Sequence, residues 1–185
     1  GYPEAKPEVV TVDDSLSIPV YLEMTKSNGA PVLWVLLSAS KESDAGIMES
    51  FVFNADDVDE DAVGTLHKGI LNEIPNKDLV TKILFGSAEP PRFVMLIGMN
   101  QIALVDRNKW SEKCYLQFEL EEIFSRLENT TLQAMAVLLH KDSLCPDDGK
   151  VLLDELDEQS QKNASGVSQD LKYALRESIE LLGNE

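Results

Sequence analysis

Six consecutive apolar residues, Val32, Leu33, Trp34, Val35, Leu36 and Leu37, constrain this chain more than any other feature. A strand with one wet face alternates polar and apolar side chains; a strand apolar at every position has to be covered on both faces. Residues 93–97 repeat the pattern with Phe93, Val94, Met95, Leu96 and Ile97. Two such strands require a sheet with cover on each side, which at this length is most simply supplied by helices.

The rest of the chain fits around that requirement. Residues 1–11 read as an irregular leader. Residues 18–25 alternate, Ser27, Asn28 and Gly29 signal a tight turn, and a hairpin to residues 32–37 is expected. An acidic, glycine-containing loop covers residues 41–50, and residues 51–53 read as a short strand. Residues 67–74 read as a short helix ended by Pro75. Residues 78–85 read as a helix with Asn76 as its cap, closed by Gly86 and by Pro90 and Pro91. After the strand at 93–99, Asn100 turns the chain into an antiparallel strand at 101–106, and residues 115–120 alternate as a half-exposed strand. Residues 121–127 read as helix. From Thr130 onward the period is helical: one stripe at Leu132, Met135, Ala136 and Leu139, another in 151–158, and a third at Leu171, Ala174, Leu175, Ile179 and Leu182. Pro146 and Gly149 break the first pair, and residues 163–166 break the second. Ser168 suits an N-cap and Gly183 with Asn184 a stop. The fold class is α+β: a mixed β-sheet of about five strands with flanking helices, then a helical C-terminal extension. The units are residues 1–127 and residues 128–185.

Charge narrows the function. Acids outnumber bases by 33 to 16, a formal charge of −17, and residues 42–61 hold eight acids and no Lys or Arg. Duplex-DNA binders usually present a basic face, so tight binding of duplex DNA by this chain alone is not expected. Any DNA contact falls to the densest basic group, Arg92, Arg107, Lys109 and Lys113, with Trp110 able to stack. Cys114 and Cys145 share no zinc spacing with His67 or His140 and read as free thiols of a cytoplasmic protein. No apolar run is long enough to span a membrane. The acidic run 56–61 fails as a calcium loop, because Ala62 and Lys68 stand where Gly and Glu are needed. No phosphate loop, nucleophile elbow or dinucleotide motif is present.

Residues 166–185 resemble the segment that leads into the catalytic domain of type IIG fused restriction–modification enzymes and related defence-system DNA methyltransferases. Three further segments are similar to the same family: residues 90–98; Asp106, Arg107, Asn108, Lys109 and Trp110 with Tyr115 and Leu116; and a helical tail spanning residues 138–146 and 152–158. Where this family often has His-Lys-His, this chain has Gln161, Lys162 and Asn163. The resemblance implies an N-terminal module of a DNA methyltransferase or fused enzyme. Its role would be structural or DNA-positioning, with S-adenosylmethionine bound by a methyltransferase domain following this chain, and DNA met through the full-length protein. It also implies a restriction-endonuclease-like core, which holds magnesium with an acid and an acid-x-Lys on neighbouring strands. Asp13 or Asp14 matches the first acid and Lys41 the lysine, but Ala39 occupies the second acid's place. The core is therefore read as degenerate, without a complete active site. A divergent metal-dependent endonuclease using Asp13, Asp14, Glu23 and Lys41 is one alternative; a non-enzymatic, acidic protein-interaction scaffold is the other.

Overall fold

The computed structural model describes residues 1–40, 45–54, 70–147, 149–164 and 172. The acidic run 56–61, His67, Lys41 and, apart from Lys172, the amphipathic segment 166–185 lie outside the described residues.

The architecture is α+β. A two-stranded sheet pairs β1 (Glu8–Asp13) with β2 (Leu16–Val20). Among the described residues, the main, mixed sheet has seven strands: β3 (Leu22–Thr25), β4 (Pro31–Ala39), β5 (Phe51–Phe53), β6 (Ile70–Pro75), β7 (Phe93–Ile97), β8 (Gln101–Asp106) and β9 (Leu116–Glu119). Their order is β6-β5-β4-β7-β8-β9. Strand β3 shares one edge of β4 with β5, taking residues 31–35 while β5 takes residues 38 and 39. Strands β4 and β7 are parallel and the other pairs antiparallel.

The two apolar runs form the centre; from Leu33 to Leu36 and from Phe93 to Leu96 their side chains alternate between two cores, with Val32 joining Leu33 in the second. On β4, Trp34 and Leu36 enter one cluster while Leu33 and Val35 enter the other; on β7, Val94 and Leu96 divide from Phe93 and Met95 in the same way. Helix α1 (Asn76–Gly86) covers the first core with Leu79, Val80, Ile83 and Leu84, and the β1–β2 hairpin adds Val12, Leu16, Ile18 and Val20. The second core is closed from the C-terminal side by Leu144, Leu139, Val151 and Leu153. Full burial of each such side chain contributes roughly 1.5–3 kcal/mol, so neither face of the sheet can be left bare.

Short helices follow the strands: α2 (Arg107–Trp110), α3 (Leu120–Arg126), α4 (Asn129–Leu138), α5 (Lys141–Leu144) and α6 (152–164). Helices α3 and α4 bury no residue completely; the 132/135/139 stripe is half-buried, and Phe124, Leu127 and Val137 are exposed. Among the described residues, no helix is long and apolar enough to cross a membrane.

Four expectations are corrected. The leader is strand from Glu8, because Val9, Val10 and Thr11 pair with β2 and Val12, at a break in the register, joins the core. The alternating stretch 18–25 is two strands divided at Tyr21, which leave for different sheets. Residues 70–75 form strand β6 rather than helix: pairing with β5 decides an apolar segment too short to declare its period. Asn76 is not a cap. Pro75 holds that position without a side-chain hydrogen bond, and Asn76 is fully buried inside the first turn.

Candidate functional site

An open groove of about 1400 Å³ crosses the second-core side of the sheet. One wall is the β3–β4 turn, built by Lys26, Ser27, Asn28, Gly29 and Ala30. Gly29 takes φ +84°, where a side chain would be strained, and Lys26 closes the turn by accepting from the Gly29 N–H at 2.8 Å. The opposite wall is the loop after α5, with Cys145, Pro146, Gly149 and Lys150. Pro90, Arg92 and Arg107 form one end, and Met24, Val32 and Leu144 contribute apolar lining.

Lys26, Arg92, Arg107, Lys141 and Lys150 line the groove against the acids Glu89, Asp147 and Asp154. In a chain of charge −17, this lining of described residues is net cationic.

The cations differ in their commitments. Arg92 is bidentate to Asp154, at 2.8 and 2.5 Å, and reaches Asp106 at 3.1 Å. Its guanidinium also lies over the Phe93 ring, 4.8 Å from the centroid. These carboxylates hold its proton more firmly than usual, the Asp154 bond foremost; reciprocally, the Arg92 hydrogen bond holds the Asp154 carboxyl below the ordinary carboxylate range. Asp106 is buried and also caps α2, accepting from the Asn108 N–H at 2.9 Å. Lys150 pairs with Glu158 at 2.7 Å. Arg107 instead donates to the Pro90 carbonyl at 3.0 Å, a neutral partner that fixes the guanidinium without cancelling its charge. Among the described residues, the carboxylates near Lys141 are distant, Asp142 at 3.8 Å and Asp147 at 3.7 Å.

Beyond the Arg92–Asp154 pair lies a smaller apolar pocket of about 250 Å³. Leu104, Leu116 and Leu153 line it, with Asn108, Lys109, Cys114, Tyr115 and Asp157 around them. Lys109 donates to Asp157 at 3.0 Å, tying α2 to α6.

The basic group expected from sequence is therefore divided. Arg92 and Arg107 reach the groove, whereas Lys109 faces the smaller pocket, already paired. Trp110 packs against the first core and donates to Thr81 Oγ1 at 3.0 Å; its ring tilts against Tyr115 at 6.2 Å between centroids. Lys113 is exposed, with φ +57°. Lys26, Lys141 and Lys150 were not singled out from sequence. Their one signal is position: each neighbours a turn or loop rich in Gly, Pro, Asn or Asp.

Of the nuclease positions, Asp13, Asp14 and Glu23 fall among the described residues. Asp13 sits at the β1–β2 turn, on the α1 side of the sheet, where its Oδ1 accepts from the Ser15 N–H and hydroxyl, both at 2.8 Å. Those bonds hold its carboxyl below the usual range, the backbone N–H foremost. Asp14 is exposed beside it. Glu23 lies across from Trp34 and accepts from the indole N–H at 2.7 Å. Among the described residues no cluster of three His, Cys, Asp or Glu has the geometry to hold a metal ion. His140 is exposed between α4 and α5, its Nδ1 accepting from the Asp142 N–H at 3.3 Å.

Both cysteines are free, Cys114 exposed and Cys145 half-buried. Burial pushes the Cys145 thiol up to about 11, so it stays protonated at pH 8 while Cys114 is accessible. Iodoacetamide at pH 8 is expected to label Cys114 first, by peptide mass analysis. Equal labelling of Cys145 would show that the groove wall opens readily.

Comparison with family models, curated proteins and solved structures finds no match to this chain.

Proposed function

We propose that this chain is the DNA-positioning module of a DNA methyltransferase or fused restriction–modification enzyme. One observation carries the reading. Four stretches, all within residues 90–158, hold the family resemblance among the described residues. They meet around the Arg92, Asp106 and Asp154 cluster: 90–98 supplies Arg92, 106–116 supplies Asp106 and Arg107, 138–146 supplies Lys141 and Leu144, and 152–158 supplies Asp154 and Asp157. A set of residues that forms one structural unit is a better basis for resemblance than scattered matches.

In this reading the chain supplies binding and orientation, and methyl transfer from S-adenosylmethionine belongs to a separate methyltransferase domain. The restriction-endonuclease-like ancestry stays part of the proposal. Asp13, matched to the first acid, ends β1 in the two-stranded sheet rather than lying on a strand beside β4, and Ala39 stands at the position of the second acid. The test uses the whole polypeptide and radiolabelled S-adenosylmethionine. Removal of residues 1–185 is expected to raise KM for DNA more than it lowers kcat, since the lost interactions bind substrate rather than the transition state. A whole polypeptide without methyl transfer, or a deletion that leaves KM unchanged, would sink the reading.

A further inference from the structure

We infer that the groove is a track for the phosphodiester backbone of one nucleic-acid strand, gripped by Lys26, Arg107 and Lys141. The inference rests on the DNA-module reading and names the contact that this reading lacks.

The three cations come from separate elements: the β3–β4 turn, the start of α2 and the start of α5. They line the same groove. Among the described residues neither Lys26 nor Arg107 is paired with a carboxylate, although the chain carries twice as many acids as bases. Closely paired cations would resist a new anion; Lys26 and Arg107 keep their charge available, and Lys141 is held only loosely, by Asp142 at 3.8 Å and Asp147 at 3.7 Å. Arg107 is also pre-oriented by Pro90, so little side-chain freedom is lost when a phosphate takes its remaining donors.

Charge and shape together favour one strand. A duplex is wide enough to extend past the groove onto a surface whose overall charge is strongly negative, which opposes phosphate approach. A single backbone lying in the groove meets the cations and avoids most of that surface. Non-sequence-specific strand binding commonly uses such a cationic groove.

Titrating the chain into fluorescein-labelled oligothymidylate, read by anisotropy at low salt, tests the assignment. Three phosphate contacts on a single strand predict a slope of log K against log[KCl] of about −2. Lys26→Gln, Arg107→Gln and Lys141→Gln should each weaken binding severalfold and flatten the slope; the triple variant should show no binding. Glutamine at 107 keeps a donor for the Pro90 carbonyl, and thermal melts verify that each variant is folded. Lys82→Gln, on exposed α1 across the sheet, should bind as the unaltered chain does. The track is overturned by wild-type binding in the triple variant, by an equal loss in Lys82→Gln, or by tighter binding of the matching duplex. Inorganic phosphate competing as well as the strand at equal phosphate concentration would also overturn it, by reducing the groove to a local anion site. If the triple variant keeps strand binding while deletion of residues 1–185 still raises KM for DNA, the track falls and the module reading stands. If the variants lose strand binding while deletion leaves KM unchanged, the track stands and the module reading falls.

Discussion

Arg92→Met is expected to destabilise the chain by about 2–4 kcal/mol, lowering the thermal midpoint by about 6–12 °C at this size. The side chain is mostly covered and its two terminal nitrogens hold Asp154 and Asp106. Asp106 is nearly buried, and without Arg92 it keeps a capping N–H but loses its countercharge. That is the costly half, because an unpaired buried carboxylate retains its desolvation penalty. Asp154 is 43% exposed in its side chain and can turn to water, so the estimate stays below that for a fully buried pair. Methionine restores the stem's packing but not the charge. Replacing the network as a whole, Arg92→Met with Asp106→Asn and Asp154→Leu, should recover most of the loss, since removing every charged partner avoids leaving one alone. Melting by circular dichroism measures the global effect. Cleavage by a protease near residues 146–151 reads whether α6 leaves the sheet. A midpoint within 1 °C of the unaltered chain would mean that Arg92 is replaceable by water.

The same pair sets an acid limit. Arg92 depresses the Asp154 carboxyl in the folded state. Its contribution is therefore complete above the unfolded Asp value of about 3.9 and is lost as pH falls through the lower folded value. The chain should lose this increment of stability in acid below pH ~4, whereas Arg92→Met, having already lost it, should show a flatter acid limb.

How much of this was legible depended on whether a residue's role was local. The runs at Val32 and Phe93 announced the centre of the sheet because burial on both faces removes every polar position, and the two cores explain why neither run alternates. The β7–β8 hairpin was legible from Asn100 and its flanking strands. Strand β1 was hidden by Pro3 and Pro7 just before it, and β6 by its dependence on β5, a pairing that no local pattern encodes. The groove was harder still. Counting basic residues along the chain favours contiguous clusters such as Arg107, Lys109 and Lys113. Folding gathers Lys26, Arg107 and Lys141 from distant positions and sends Lys109 and Trp110 elsewhere. Asn76 shows the same limit in one residue: an amide before an apolar helix looks like a cap, and only tertiary burial makes it a clamp.

That clamp carries the second large prediction. Asn76 Nδ2 donates to Ser38 Oγ and to the Ile47 carbonyl, both at 2.7 Å, and its backbone N–H donates to the Ser50 carbonyl at 2.8 Å. It joins the end of β4, the 46–50 loop and the start of α1. Asn76→Ala removes both side-chain bonds and leaves their acceptors buried, an expected cost of about 2–3 kcal/mol that does not vary with pH. Asn76→Asp keeps the shape but turns an oxygen toward the Ile47 carbonyl. An acid at a helix N-terminus usually gains only about 0.3–1 kcal/mol from the dipole, less than the several kcal/mol needed to bury an unpaired carboxylate. The variant should therefore be the worse of the two at neutral pH. Burial raises the folded pKa of this new acid above about 3.9. Its protonated form is tolerated below that value, and stability is lost as pH rises through the raised folded pKa, by about 1.4 kcal/mol per unit. Urea unfolding from pH 4 to pH 8 resolves the two variants: a parallel offset for Asn76→Ala, a widening one for Asn76→Asp. A flat difference for Asn76→Asp would show that water reaches the carboxylate, and that the joint between sheet, loop and helix is looser than its hydrogen bonds imply.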